Sequence, residues 1–124
     1  MLSSIESFCG AGGMALGIRE AGFDVKVAFD NDPAHVKTYN HNLGPHSHVM
    51  DASQVSGAEL LAMAGIRRGE LDLFSGGPPC QGFSKQRRGA ALLQDPRNRL
   101  VLDFARLTNE MYPRAFLFEN VAIF

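Results

Sequence analysis

The sequence predicts an α/β fold in which about five parallel strands form a doubly wound sheet with helices between them. Three observations lead there. Short apolar runs alternate with stretches of helical periodicity from Leu2 to Phe118, the order whose right-handed crossovers build parallel sheets. A glycine turn or a polar side chain then comes after each run: Gly10-x-Gly12-Gly13, Asp30, Asp51, Cys80 and Glu119. Open parallel sheets bind ligands beyond the C-terminal ends of their strands, at the switch point of the strand order. Finally, 124 residues with 45% hydrophobic and 20% charged composition suit one globular domain with a real core.

Each element has its own local reason. Leu2 to Phe8 reads as the first strand and ends in the glycine turn. Met14, Ile18 and Ala21 come next at helical spacing, and Gly22 closes that helix just past its cap. Val25 to Phe29 is a second strand. Asp32-Pro33 starts a helix, with Asp as N-cap and Pro first inside, and the helix breaks near residues 42–45. A short strand around Val49 and Met50 ends at Asp51. Ser56 caps a helix carrying Leu60, Leu61 and Met63, with Gly65 near its end. Leu71 to Ser75 is predicted as a buried fourth strand, with a long loop over 76–95 after it. A helix from about Asn98 to Met111 presents Leu100, Val101, Phe104 and Leu107 on one face. Pro113 stops it, and Ala115 to Phe118 forms a fifth strand ending at Glu119.

The stretch Gly76-Gly77-Pro78-Pro79-Cys80-Gln81-Gly82-Phe83-Ser84 stands out chemically. Two glycines let the chain turn sharply, and two prolines stiffen the backbone ahead of the cysteine. Cys80 is thereby presented as a candidate nucleophile, although a lone cysteine is also a common buried residue. The glycine turn with Asp30, twenty residues after Gly10, fits an adenosine-type site in which the carboxylate accepts from both ribose hydroxyls. On that pattern alone a nicotinamide dinucleotide is a fair occupant. Taken singly, Asp51 is a turn cap and Glu119 a strand-end carboxylate paired with Arg114. His35, His41, His46 and His48 share one stretch, but their spacing matches no common zinc pattern. They are expected to be solvated, and no metal is predicted. Net charge is −1, yet residues 85–99 hold five basic side chains against Asp95 alone, a local excess able to meet phosphates.

Motif by motif, the chain resembles the C5-cytosine-specific DNA methyltransferases. Gly77 to Ser84 resembles their nucleophile loop, and Phe118-Glu119-Asn120-Val121 their Glu-Asn-Val motif. Phe8-Cys9-Gly10-Ala11-Gly12-Gly13 resembles the first cofactor motif, Ala28 to Pro33 the second, and Asp95 to Leu100 the segment between. It departs from the pattern at Glu6, where Asp is usual, and at Ser7, where an apolar residue is usual. The resemblance implies a Rossmann-like S-adenosylmethionine-dependent methyltransferase fold, with S-adenosyl-L-homocysteine as product. It implies Cys80 as nucleophile at cytosine C6 and Glu119 as acid toward N3. Phe8, Gly10, Gly12, Gly13, Asp30, Asn31, Asp51 and Leu100 would hold the cofactor. Gln81, Ser84 and Arg97 would meet the nucleic acid, from which the target base must be flipped.

The same resemblance implies that residues 1–124 are the N-terminal part of a catalytic, cofactor-binding domain. A target-recognition domain would lie in a missing C-terminal half or on a second chain. The expected substrate is double-stranded DNA, in a restriction-modification or orphan bacterial or phage setting. The alternatives are a tRNA cytosine-C5 methyltransferase, or a cofactor-binding half of a two-chain enzyme inactive on its own. The fifth strand's uncovered apolar groups predict self-association. No apolar run reaches the ~18–20 residues that span a bilayer, and Glu6 interrupts the opening hydrophobics, so no signal peptide is read. Two distant cysteines suit a reducing, cytoplasmic and nucleoid-associated location.

Overall fold

The structure, a computed structural model, describes residues 1–79 and 99–120. In chain order these residues form β1 (Leu2–Ser7), α1 (Gly13–Glu20), β2 (Phe23–Asp30), α2 (Pro33–Leu43) and β3 (Ser47–Val49). Then come α3 (Gly57–Ala64), β4 (Leu73–Gly76), α4 (Arg99–Met111) and β5 (Ala115–Phe118). The strands make one parallel sheet in the order β3-β2-β1-β4-β5. The chain winds outward from β1 to β3, then returns to β4 on the other side. The switch point therefore lies between β1 and β4, where α/β sheets open a crevice for ligands.

Because β1 is central, both its faces are covered, and Ser4 to Ser7 are all buried. One face packs Ile5, Val27, Phe29 and Phe74 against Leu60 and Leu61 of α3 and Phe104, Leu107 and Met111 of α4. The other packs Val25, Ala28 and Leu73 against Ala15 and Ile18 of α1 and Tyr39 of α2. Val25 and Val27 serve opposite faces because the β1–β2 register slips between Ser4 and Ile5, skipping Lys26. Lys26 is left exposed and paired with Asp24 at 2.7 Å.

The helix starts agree with the sequence reading. The Asp32 side chain accepts from the Ala34 amide with Pro33 behind it, and Ser56 accepts from Glu59. Several strand boundaries differ from expectation: β1 ends at Ser7, not Phe8, β2 runs Phe23–Asp30, not Val25 to Phe29, and β4 ends at Gly76, not Ser75. Two further shifts have a visible local cause. β3 covers Ser47–Val49 instead of Val49 and Met50, because Asn40 both donates to the Ser47 carbonyl and accepts from its amide. A pair of polar residues is thus drawn into the sheet. β4 begins at Leu73 instead of Leu71. Asp72 turns its carboxylate to the Ser3 amide at 2.8 Å, replacing ladder pairing at that point. The predicted start of α4 at Asn98 lies outside the described residues.

Candidate functional site

The C-terminal ends of β1, β2, β3 and β4 and the start of α4 enclose a cavity of about 250 Å³. Phe8, Phe29, Met50, Ala52, Pro79 and Leu100 give it apolar walls, while Asp30, Asp51 and His35 bring polar atoms to it. Of the eight residues expected to hold a cofactor, Phe8, Gly10, Asp30, Asn31, Asp51 and Leu100 line this space. Phe8 adopts φ 52°, in the left-handed region that costs a bulky residue energy. Its ring is thereby set against Phe29, with centroids 6.4 Å apart. Gly12 and Gly13 do not line the cavity. Gly12 has φ 105° and sits under Tyr39 and Leu43, where a Cβ would collide. It lets the β1–α1 turn pack against α2, while Gly13 starts α1.

Three donors from the chain itself fix the Asp30 carboxylate. The Gly10 amide donates to Oδ2 at 3.0 Å, the Asp32 amide to Oδ1 at 2.9 Å, and His35 Nδ1 lies 3.3 Å from Oδ1. The side chain is 12% exposed, and a carboxylate has about four acceptor sites. It is thus preorganised, with acceptor capacity left toward the cavity.

Asp51 is exposed, and its Oδ1 caps the next turn by accepting from the Ser53 amide at 2.9 Å and hydroxyl at 2.7 Å. The Ser53 hydroxyl, then its amide, hold the Asp51 pKa below the usual carboxylate range. Asp51 therefore combines the expected turn cap with a place on the cavity rim. The turn is secured from α4: Arg106 donates to the carbonyls of Ala52 and Val55 at 2.6 and 3.1 Å and pairs with Glu110 at 3.0 Å. Glu110 in turn accepts from the Gly57 amide at 2.7 Å, the largest reason its pKa is lowered.

Glu119 stands beside the segment that leads into Cys80. Pairing of Gly76 with Phe118 in the β4–β5 ladder, and the Glu119 amide donating to the Gly76 carbonyl at 3.0 Å, align the two strand ends. The Glu119 carboxylate lies across Gly77, where an added Cβ would fall 2.7 Å from Oε2. Asn120 reaches the Pro78 carbonyl at 3.5 Å. Glu119 is exposed, at the end of the edge strand of the described sheet. The alternative in which Glu119 merely pairs with Arg114 is not what forms: Arg114 reaches Asp72 at 3.4 Å. Cys80, Gln81, Ser84 and Arg97 lie outside the described residues. The other cysteine, Cys9, is buried, and burial pushes its thiol up to about 12, which makes it an inert structural group.

Sequence reasoning missed three contributors. Met50 lines the cavity because β3 ends before it. His35 touches Asp30, and His46 is not a solvated loop residue: its ring meets Tyr39 edge-on and its Nε2 lies 2.8 Å from the Tyr39 hydroxyl. Desolvation there lowers the His46 pKa. A polar residue one turn into a helix gives no such signal, since only the fold sets its partner. Among the described residues no cluster of His, Cys, Asp or Glu could hold a metal ion.

Comparison with known proteins yields one consistent set of relatives. The family profile described as C-5 cytosine-specific DNA methylase matches residues 2–124. The Type II methyltransferase M.XorII of Xanthomonas oryzae pv. oryzae is 42% identical over 118 residues, which are 94% of this chain and 27% of that protein. M.AquIA of Picosynechococcus is 40% identical over 94% of this chain and 47% of its own length. M.HgiGI of Herpetosiphon aurantiacus is 36% identical over 97% of this chain and 90% of its own length. Among solved structures, a DNA modification methyltransferase encoded within an E. coli prophage superposes with a TM-score of 0.80 at 36% identity, covering 98% of this chain and 32% of that one. The S. pombe Dnmt2 methyltransferase gives 0.72 at 26% identity, covering all of this chain and 36% of the other. The chain thus spans between about a quarter and a half of the first two curated relatives.

Proposed function

The chain belongs to the C-5 cytosine-specific DNA methylase family, and from that premise we propose that it forms the cofactor-binding and nucleophile-bearing part of an enzyme that methylates cytosine C5 in double-stranded DNA. The observation that carries this reading is the convergence of Phe8, Gly10, Asp30, Asn31, Asp51 and Leu100 on one cavity. Its rim passes Pro79, the residue before Cys80. S-adenosyl-L-methionine fits the donors present. Asp30 offers a fixed carboxylate to ribose hydroxyls, Asp51 keeps acceptor capacity for an adenine amino group, and Phe8 and Leu100 supply apolar contact for a flat base.

S-adenosylmethionine, when bound, supplies an electrophilic methyl group. The chain's residues prepare the cytosine to take it. The Cys80 thiolate adds to C6, and the electron pair displaced from the C5–C6 bond makes C5 nucleophilic. Glu119 donates a proton to N3 as density builds there, acting as general acid. Its position over Gly77 supports that role, because the β4–β5 ladder sets it three residues from the nucleophile. Once C5 carries the methyl group, loss of its proton restores the double bond and expels Cys80 as thiolate. Gln81, Ser84 and Arg97 serve the flipped nucleotide's backbone.

The greater length of M.XorII and M.AquIA supports a further part, on the same chain or a second one, that reads the DNA sequence. Its docking face is the uncovered side of β5 and α4, where Phe116 is 62% exposed and Leu117 45%. Calorimetry with S-adenosylmethionine tests the reading, with NAD as control. Binding that Asp30→Ala abolishes, followed by methyl transfer to duplex DNA that Cys80→Ser eliminates without touching cofactor affinity, is the expected result. Preference for NAD would overturn it.

A further inference from the structure

The acceptor count on Asp30 leaves an imbalance. Oδ1 already takes the Asp32 amide and faces His35 Nδ1, while Oδ2 takes only the Gly10 amide. With about two acceptor sites per oxygen, Oδ2 has one left and Oδ1 has none as the side chains stand. A ribose presents two hydroxyl donors. One of them therefore needs a partner that Asp30 alone does not offer.

His35 is placed to be that partner. It lies in the first turn of α2, lines the cavity, and is 52% exposed. Its Nδ1 contact to Asp30, at 3.3 Å, is long for a charge-assisted hydrogen bond and is the weakest of the three on that carboxylate. At the other end of the ring, Nε2 lies 3.5 Å from Asp32 Oδ2, so the imidazole can swing at Nδ1 while staying tethered at the helix cap.

We propose that His35 is a second ribose-reading side chain of the cofactor site, and that it discriminates a ribonucleoside cofactor from one lacking a hydroxyl. One ribose hydroxyl donates to Asp30 Oδ2. The other enters between Asp30 Oδ1 and His35 Nδ1, donating to the carboxylate and accepting from the imidazole. A hydroxyl can do both at once, which neither Asp30 nor a backbone amide exploits alone. This assignment rests on the ribose role proposed for Asp30 and adds a residue to it.

Calorimetric titration of the chain with S-adenosylhomocysteine and with its 2′-deoxy and 3′-deoxy analogues tests it. In the wild type, both deletions weaken binding. In His35→Ala, affinity for S-adenosylhomocysteine falls about tenfold, while affinity for one of the two deoxy analogues stays within about twofold of wild type. His35→Asn, whose side-chain NH₂ sits near the Nδ1 position, recovers most of the loss. Should His35→Ala melt at lower temperature, His35→Gln against His35→Asn decides the same comparison on folded protein. Equal losses for all three ligands would mean His35 only steadies the α2 N-terminus, and no loss would mean it plays no part. Either result overturns the proposal while leaving the cofactor reading intact. A wild-type chain that binds none of the three overturns the ribose reading beneath it.

Discussion

Glu6 is 1% exposed on the central strand, and both its carboxyl oxygens lack a hydrogen-bond partner among the described residues, as do the hydroxyls of Ser4 and Ser75 nearby. Burial lifts its pKa from 4.5 to about 8. The folded protein therefore keeps this proton through neutrality, whereas the unfolded chain releases it near the ordinary value. The group's contribution is full below pH 4.5, declines as pH rises from 4.5 to 8, and is constant above. The full decline is on the order of 5 kcal/mol. Urea midpoints should fall between neutral pH and about 8.5 in the wild type and stay level in Glu6→Gln; matching profiles would disprove a buried neutral acid. At this scale the sequence was legible where chemistry is local. Asp30 could be read because a carboxylate after a strand and opposite a glycine turn has few other uses. The environment of Glu6 could not, since nothing in Ser4-Ile5-Glu6-Ser7 says that both faces of the strand are covered.

Among the elements, α4 does most to hold the cavity in shape. Arg106 bonds two carbonyls of the turn after Asp51 and pairs with Glu110, which holds the first amide of α3. Hydrogen bonds from a charged group contribute roughly 1.5–3 kcal/mol each when partly buried, less where solvent screens them. At 35% exposure, Arg106→Ala is expected to cost about 2 kcal/mol in chemical unfolding. It should also weaken S-adenosylmethionine binding several-fold by releasing Asp51. A variant as stable as wild type would show that packing, not Arg106, fixes the turn. The caps Asp32 and Ser56 were legible because a cap acts within three residues. The span of β3 was not, because the Asn40 side chain, seven residues away, recruits Ser47 into the sheet. Leu100 and Val101, predicted on one face of α4, part company: Leu100 lines the cavity and Val101 faces the outer groove beside Phe116.

Across the whole molecule, the strand order could be anticipated in kind but not in detail. Alternating elements foretold a parallel sheet, whereas the place of β5 beside β4 is fixed only by the order β3-β2-β1-β4-β5 that the described strands adopt. That edge carries a groove of about 720 Å³ lined by Phe104, Tyr112, Phe116 and Phe118 among others, an apolar surface of the kind that drives association. The isolated chain is expected to self-associate at micromolar concentration, and Phe116→Lys to restore a monomer with an unchanged melting temperature. Sedimentation of both forms checks this; a monomeric wild type would refute it. The strand order also has a consequence for how the molecule is made. Ser4 must pair with Leu73, so the sheet's central seam closes across nearly seventy residues, a costly loop to close. The β1–β2–β3 half needs only short crossovers and is complete while β4 is still to be synthesised. A ribosome would therefore release a half-sheet carrying Asp30 and Asp51 before Gly77, Pro79, Leu100 and, last, Glu119 arrive to complete the site.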